Sequence, residues 1–82
     1  MYVGVIHSIS DPEGFQKAEA RAAGLGLPPG VTMPIHSATP DYTLSMNIWK
    51  GSSVEEVQSV VESVVGPYSE NEYFELNVDG LP

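Results

Sequence analysis

The chain has 82 residues, 11 of them acidic and three basic, which gives a formal net charge of −8 at pH 7. This length predicts a single domain over residues 1–82, and the negative charge disfavours nucleic acids and anionic membranes, which proteins bind through basic side chains. Disulfides and thiolate chemistry are excluded because the chain has no cysteine, and no apolar run approaches the roughly 20 residues of a membrane span.

The first segment, Tyr2–Ser8, is mostly apolar and rich in β-branched residues. This composition predicts a strand that is covered on both faces. A helix start signal follows, because Asp11 can cap the free amide groups and Pro12 suits the first helical position. We expect this helix to run to about Ala23, where Gly24 ends it.

Two further strands are predicted in the middle of the chain. The first covers Val31–Ala38 and contains Pro34, which has no amide hydrogen for a neighbouring strand. We therefore expect this strand at an edge of its sheet. After a turn, the segment Tyr42–Trp49 alternates between two faces, as a strand does.

The last third of the chain predicts a helix and a strand. Ser53 with Glu56 matches a capping box, and Gly66 with the proline after it ends the helix. Valines recur at positions 54, 57, 61 and 64 and form its expected buried stripe. The segment Tyr73–Val78 is the last predicted strand.

The predicted order is therefore strand, helix, strand, strand, helix, strand, which is the α+β, ferredoxin-like arrangement. Right-handed connections place both helices on one face of a four-stranded antiparallel sheet with strand order 4-1-3-2. In that order the first strand is central and the second is an edge, where Pro34 requires it to be.

Each face of this sheet has a distinct composition. We expect the apolar positions to pack against the helices: Leu44, Met46, Ile48, Phe74, Leu76 and Val78. The uncovered face then carries aromatic and hydrogen-bonding side chains: Thr32, Pro34, His36, Thr43, Ser45, Asn47, Trp49, Tyr73, Glu75 and Asn77. A mixed face of this kind suits packing against the same sheet of a second copy, with polar groups left to line a cavity. The sequence therefore predicts a homodimer.

The whole chain resembles the dimeric α/β-barrel group of ferredoxin-like proteins, and within it small bacterial proteins of unknown or nickel-binding function. The features that carry the resemblance are a histidine closing the first strand, a second histidine on the second strand, the capped helix after Gly51, and the final strand: His7, His36, Ser53 and Asn71-Glu72-Tyr73-Phe74-Glu75-Leu76. The resemblance implies two sheets facing each other. Larger members include cofactor-independent monooxygenases, isomerases and haem proteins, so the fold alone does not select an activity.

The candidate site consists of the chemically active side chains of the mixed face together with His7 at the end of the first strand. His7, His36 and Glu75 are candidate catalytic residues, because imidazole titrates near neutral pH and a buried carboxyl has a raised pKa. Asn47, Trp49 and Tyr73 are candidate ligand-binding residues. Our first hypothesis is a small-ligand-binding homodimer without a cofactor, which as an enzyme would be a monooxygenase or isomerase using a histidine as base.

Two alternatives stay open at this stage. One is a non-catalytic protein that binds nickel or a similar divalent ion through His7, His36 and Glu75, although no familiar metal-ligand spacing occurs. The other is a structural or interaction module. The N-terminal residues do not follow the pattern of a signal peptide, so a cytoplasmic location is expected.

Overall fold

In the computed structural model, which describes residues 1–80, the elements follow the order that the sequence predicts. The elements are β1 (Tyr2–Ile9), α1 (Pro12–Leu25), β2 (Thr32–Ile35), β3 (Leu44–Lys50), α2 (Val54–Val65) and β4 (Ser69–Leu76), with a short 3-10 turn at Gly66–Tyr68 before β4. The strands pair antiparallel in the order β2-β3-β1-β4. The ferredoxin-like α+β fold is thereby confirmed.

Helix α1 begins as its sequence predicts and ends slightly later. The side chain of Asp11 accepts a hydrogen bond of 3.0 Å from the backbone N–H of Gly14, which caps the first turn. The helix continues past Ala23 to Leu25, and Gly26, with a φ of 84°, then redirects the chain. A positive φ of this size costs glycine little, so Gly26 ends the helix, and the prediction that Gly24 ends it was wrong.

Helix α2 is capped by Ser53, whose side chain accepts a 3.0 Å hydrogen bond from the N–H of Glu56. The carboxylate of Glu56 accepts in turn a 2.8 Å hydrogen bond from the N–H of Ser52. The return bond of the capping box is thus made to the residue before the cap, and not to Ser53 itself. The fully buried stripe consists of Val57, Val61 and Val65 rather than the four predicted valines. It packs onto the face of the sheet that carries Val3 and Val5.

Strand bounds differ from the sequence prediction most clearly in β4. This strand begins at Ser69, four residues before the predicted start at Tyr73, and it brings Asn71 opposite His7 of β1. β2 is shorter than predicted and pairs only with β3, so Pro34 lies on an edge strand as expected.

The assignment of the two sheet faces was wrong. Three cross-strand pairs of β1 and β3 lie on the face that the helices cover: Val3 with Trp49, Val5 with Asn47 and His7 with Ser45. All six side chains are buried, beneath Phe15 of α1 and the valines of α2. The alternation of side chains along β3 correctly separates its residues into two faces. Which of these faces meets the helices is decided by β1, because residues paired across two strands point to the same side of the sheet, and Val3 and Val5 face the helices.

The open face of the sheet is consequently more apolar than expected. It carries Ile35, Met46, Ile48, Phe74 and Leu76, of which Met46 is 54% exposed and Phe74 44% exposed. Gly4 lies at its centre, where an added Cβ would come within 2.8 Å of the Leu76 side chain. A side chain at position 4 would therefore displace the Leu76 side chain from the place where it packs over β1.

Candidate functional site

His7 lies near the C-terminal end of the central strand β1 and points toward the helices. Its side chain is 1% exposed, and its ring contacts that of Phe15 edge-on with 5.1 Å between the ring centroids. A histidine is a costly residue to bury in this way unless its two ring nitrogens find partners. Only one of them does so within residues 1–80.

The partnered nitrogen is Nδ1, which lies 2.6 Å from Oδ1 of Asn71 on β4. The other end of the Asn71 amide, Nδ2, donates a 2.7 Å hydrogen bond to the carboxylate of Glu62 on α2. This second contact fixes the amide so that Oδ1 faces His7 and accepts. Nδ1 of His7 therefore carries the hydrogen, and Nε2 of the neutral ring holds a free lone pair.

The electrostatics agree with this arrangement. Burial lowers the pKa of His7 below the ordinary value for histidine, because the charged ring would lose its water without an ion-pair partner. Hydrogen bonds from Tyr73 and Asn71 lower the pKa of Glu62, which is thus a carboxylate at neutral pH. Around pH 7 the chain Glu62–Asn71–His7 consequently holds a neutral imidazole in one tautomer.

A cavity of about 110 Å³ lies between the helices and the sheet, and the ring of His7 forms part of its wall. The other wall residues come from α1, α2, β2, β3 and the α1–β2 loop, and most are apolar: Glu19, Ala22, Ala23, Leu27, Met33, Trp49, Val61, Val64 and Val65. Alanines and valines at these positions leave space that larger aliphatic side chains would fill. The cavity is therefore a direct result of the small side chains on both helices.

Three buried side-chain nitrogens have no hydrogen-bond partner in the part of the chain that the structure describes: His7 Nε2, Asn47 Nδ2 and Trp49 Nε1. His7 and Trp49 both line the cavity. Asn47 lies beside them on β3, where its Oδ1 accepts from the backbone N–H of Ser37 at 3.0 Å. Since buried polar groups nearly always find partners in proteins, this concentration under one pair of helices indicates a place for a polar group from outside the chain.

His36 lies on the far side of the cavity wall. Its Nε2 is 3.3 Å from the carboxylate of Glu19 on α1, and its ring lies near that of Tyr42. Glu19 lines both the cavity and the outer groove that contains His36. Burial raises the pKa of Glu19, while the contact with His36 opposes that rise. His36 therefore contacts the cavity only through Glu19.

Tyr73 and Glu75 of β4 were expected on the uncovered face of the sheet, but their strand partners Val5 and Val3 place them on the helix-covered side. Tyr73 is half-buried on the helix-covered side and donates a short hydrogen bond to Glu62. Burial and this carboxylate together raise the pKa of Tyr73. Glu75 is exposed on β4 opposite Val3, and neither residue lines the cavity around His7.

The metal-binding alternative needs at least three ligands in one place. Among residues 1–80, no three histidine, aspartate or glutamate side chains come close enough together to hold a metal ion. A site built from His7, His36 and Glu75 would thus require ligands from a second chain.

Three residues of the site were given no functional role from the sequence: Glu19, Glu62 and Asn71. Glu19 follows Phe15 by four residues, so it shares the buried face of α1, a signal that the sequence does contain. Asn71 preceded the predicted start of the last strand and was not assigned a sheet partner. Glu62 reads as an ordinary exposed helix acid, and only the contact with β4 gives it a role.

Comparisons with known proteins identify no relative. A scan against protein-family models and searches of curated proteins and of solved structures each find no match. Neither helix within residues 1–80 is long and apolar enough to cross a membrane.

Proposed function

We propose that this chain is a homodimeric protein that binds one small organic molecule per subunit in the cavity beside His7. The observation that carries the proposal is the unpartnered Nε2 of His7, a buried lone pair on a residue that lines a mostly apolar cavity. A few polar atoms on an apolar wall are typical of sites for small molecules. The polar atoms fix the orientation of the ligand, and the apolar surface supplies affinity.

The chemistry that this site supports is the removal of a proton from the bound molecule by His7. The imidazole is neutral at pH 7 and its other nitrogen is held by Asn71, which orients Nε2 and stabilises the positive charge that would form on the ring. Such a step begins an isomerisation or an oxygenation by dioxygen that uses no cofactor. In both cases His7 acts as the base.

The dimer is supported by the composition of the open face. Four large apolar side chains are each more than a third exposed: Ile35, Leu44, Met46 and Phe74. The last three lie on β3 and β4, the two strands that flank β1. A monomer seldom leaves a contiguous apolar patch of this kind on a sheet in water. Packing of the open face against that of a second copy covers it, and also enlarges the small core of an 82-residue chain.

Ligand binding is tested by NMR on the folded protein, with the indole N–H of Trp49, the one tryptophan of the chain, as the reporter. Millimolar toluene is the first probe. Because toluene forms no hydrogen bonds, its binding shows only whether the apolar cavity admits a molecule. We expect the indole signal to shift in the wild type and in Ala20→Leu, which changes an exposed position of α1. Ala22→Leu fills the cavity and should abolish the shift. An unchanged signal in the wild type with toluene and with phenol alike would contradict the proposal.

A further inference from the structure

The polar atoms of the cavity wall differ in what they can accept and donate, and they therefore select among small molecules. We propose that the cavity takes a small uncharged molecule that carries a hydroxyl group, a phenol or an alcohol, and rejects carboxylates. This proposal rests on the proposed ligand-binding function and adds the chemical class of the ligand.

The size of the cavity sets the first limit. At about 110 Å³ it is somewhat smaller than an engineered apolar cavity of about 150 Å³ that binds benzene. One six-membered ring or a short branched chain is thus the largest apolar group that it encloses. The alanine, valine and leucine side chains that form most of its walls offer such a group dispersion contacts and no hydrogen bonds.

The hydrogen-bonding groups set the second limit. His7 Nε2 accepts, because Nδ1 holds the ring hydrogen toward Asn71. Trp49 Nε1 can only donate. A hydroxyl group suits either nitrogen, since its hydrogen can be donated to His7 and its oxygen can accept from Trp49. A ketone or an ionised carboxylate has no hydrogen to offer to His7.

The charges near the cavity set the third limit. Glu19 lines the wall, and the chain as a whole has a net charge of −8. Within the residues that the structure describes, no lysine or arginine lines the cavity to balance an incoming anion. A carboxylate would lose its water in this cavity and meet a like charge, whereas an uncharged hydroxyl compound meets neither cost.

Two matched pairs of probes separate these limits. Phenol and toluene have similar size and differ in the hydroxyl group, whereas isobutyramide and isobutyrate have similar size and differ both in charge and in the N–H donor, two effects that the variant at Glu19 described below distinguishes. Dissociation constants are measured by NMR titration of the Trp49 indole signal at pH 7, together with the ¹⁵N signal of His7 Nε2. We expect phenol to bind about tenfold more tightly than toluene, and isobutyramide about tenfold more tightly than isobutyrate. Phenol should also move the Nε2 signal, and toluene should not.

The variant Glu19→Gln removes the charge and preserves the size of the side chain. It should reduce the preference for isobutyramide and leave the preference for phenol unchanged. Equal affinity for phenol and toluene, or for isobutyramide and isobutyrate, would overturn the proposed ligand class while toluene binding still supports a small-molecule cavity. Failure of both toluene and phenol to bind would overturn the ligand class and the proposed function together.

Discussion

Replacing Met46 on the open face by glutamate tests the proposed dimer directly. Met46 lies on β3, next to the central strand, and is 54% exposed in the isolated chain. The substitution should therefore change the stability of a single subunit little, within about 0.5 kcal/mol. In a dimer formed by two open faces it places a carboxylate from each copy in the interface.

The expected magnitude follows from the exposed fraction. Burying a whole methionine side chain contributes about 1.5–3 kcal/mol, so the half that Met46 leaves exposed contributes about 1 kcal/mol. Because a twofold dimer buries this side chain in both copies, its loss costs about 2 kcal/mol, or about 30-fold in the dissociation constant. Burial of two unpaired carboxylates costs several kcal/mol more. The dissociation constant should thus rise by about a thousandfold or more.

Sedimentation equilibrium over a range of micromolar concentrations measures the mass. The wild type should sediment at twice the chain mass of 8.8 kDa, and Met46→Glu at the chain mass itself. Leu25→Glu is the matched control, because it adds the same charge at an 81% exposed apolar residue at the end of α1. A wild type that stays at 8.8 kDa, or a Met46→Glu variant that remains dimeric as Leu25→Glu does, would refute the reasoning.

The remaining predictions concern the cavity and His7. Ala22→Leu should raise the free energy of unfolding in urea by about 1 kcal/mol, because it fills apolar space; a decrease would show that this space cannot take the added carbons. Asn71→Leu should lower that free energy by about 1–3 kcal/mol, since His7 Nδ1–H loses its acceptor, while Asn77→Leu at an exposed position should change it little. The pKa of His7 lies below its value of about 6.5 in the unfolded chain, so the unfolded state binds the proton more readily. The stability contributed by neutral His7 should be complete above pH 6.5 and be lost as the pH falls toward the folded-state pKa. NMR titration of the ring should give a midpoint below 6.5, and a higher midpoint would contradict this account.

The sequence by itself determined the order of the elements and the residues at which the two helices begin. Asp11 and Ser53 cap the helices through contacts within one turn, and Pro34 excludes its strand from the centre of the sheet because it lacks an amide hydrogen. These are local effects of backbone chemistry, so they can be predicted from neighbouring residues. The fold follows from them because few arrangements of this element order are right-handed and keep that strand at an edge.

Only the tertiary structure decided which face of the sheet meets the helices. Alternation along β3 puts Met46 on one face and Asn47 and Trp49 on the other, but it does not say which face meets the helices. The polarity of the side chains favoured the face with Met46, which is the wrong one. The pairing of Val3 with Trp49 settles it, because a strand cannot place its own side chains independently of its aligned neighbour.

The same reason explains the candidate site. His7 and Trp49 were identified from the sequence as polar or aromatic residues on strands, but the partners that give His7 its tautomer are distant in the chain. Asn71 lies 64 residues away, and Glu62 reaches the same point from a helix. Hydrogen bonds between such residues exist only after the sheet has formed, so tertiary packing, and not local pattern, decides which nitrogen of His7 is left free.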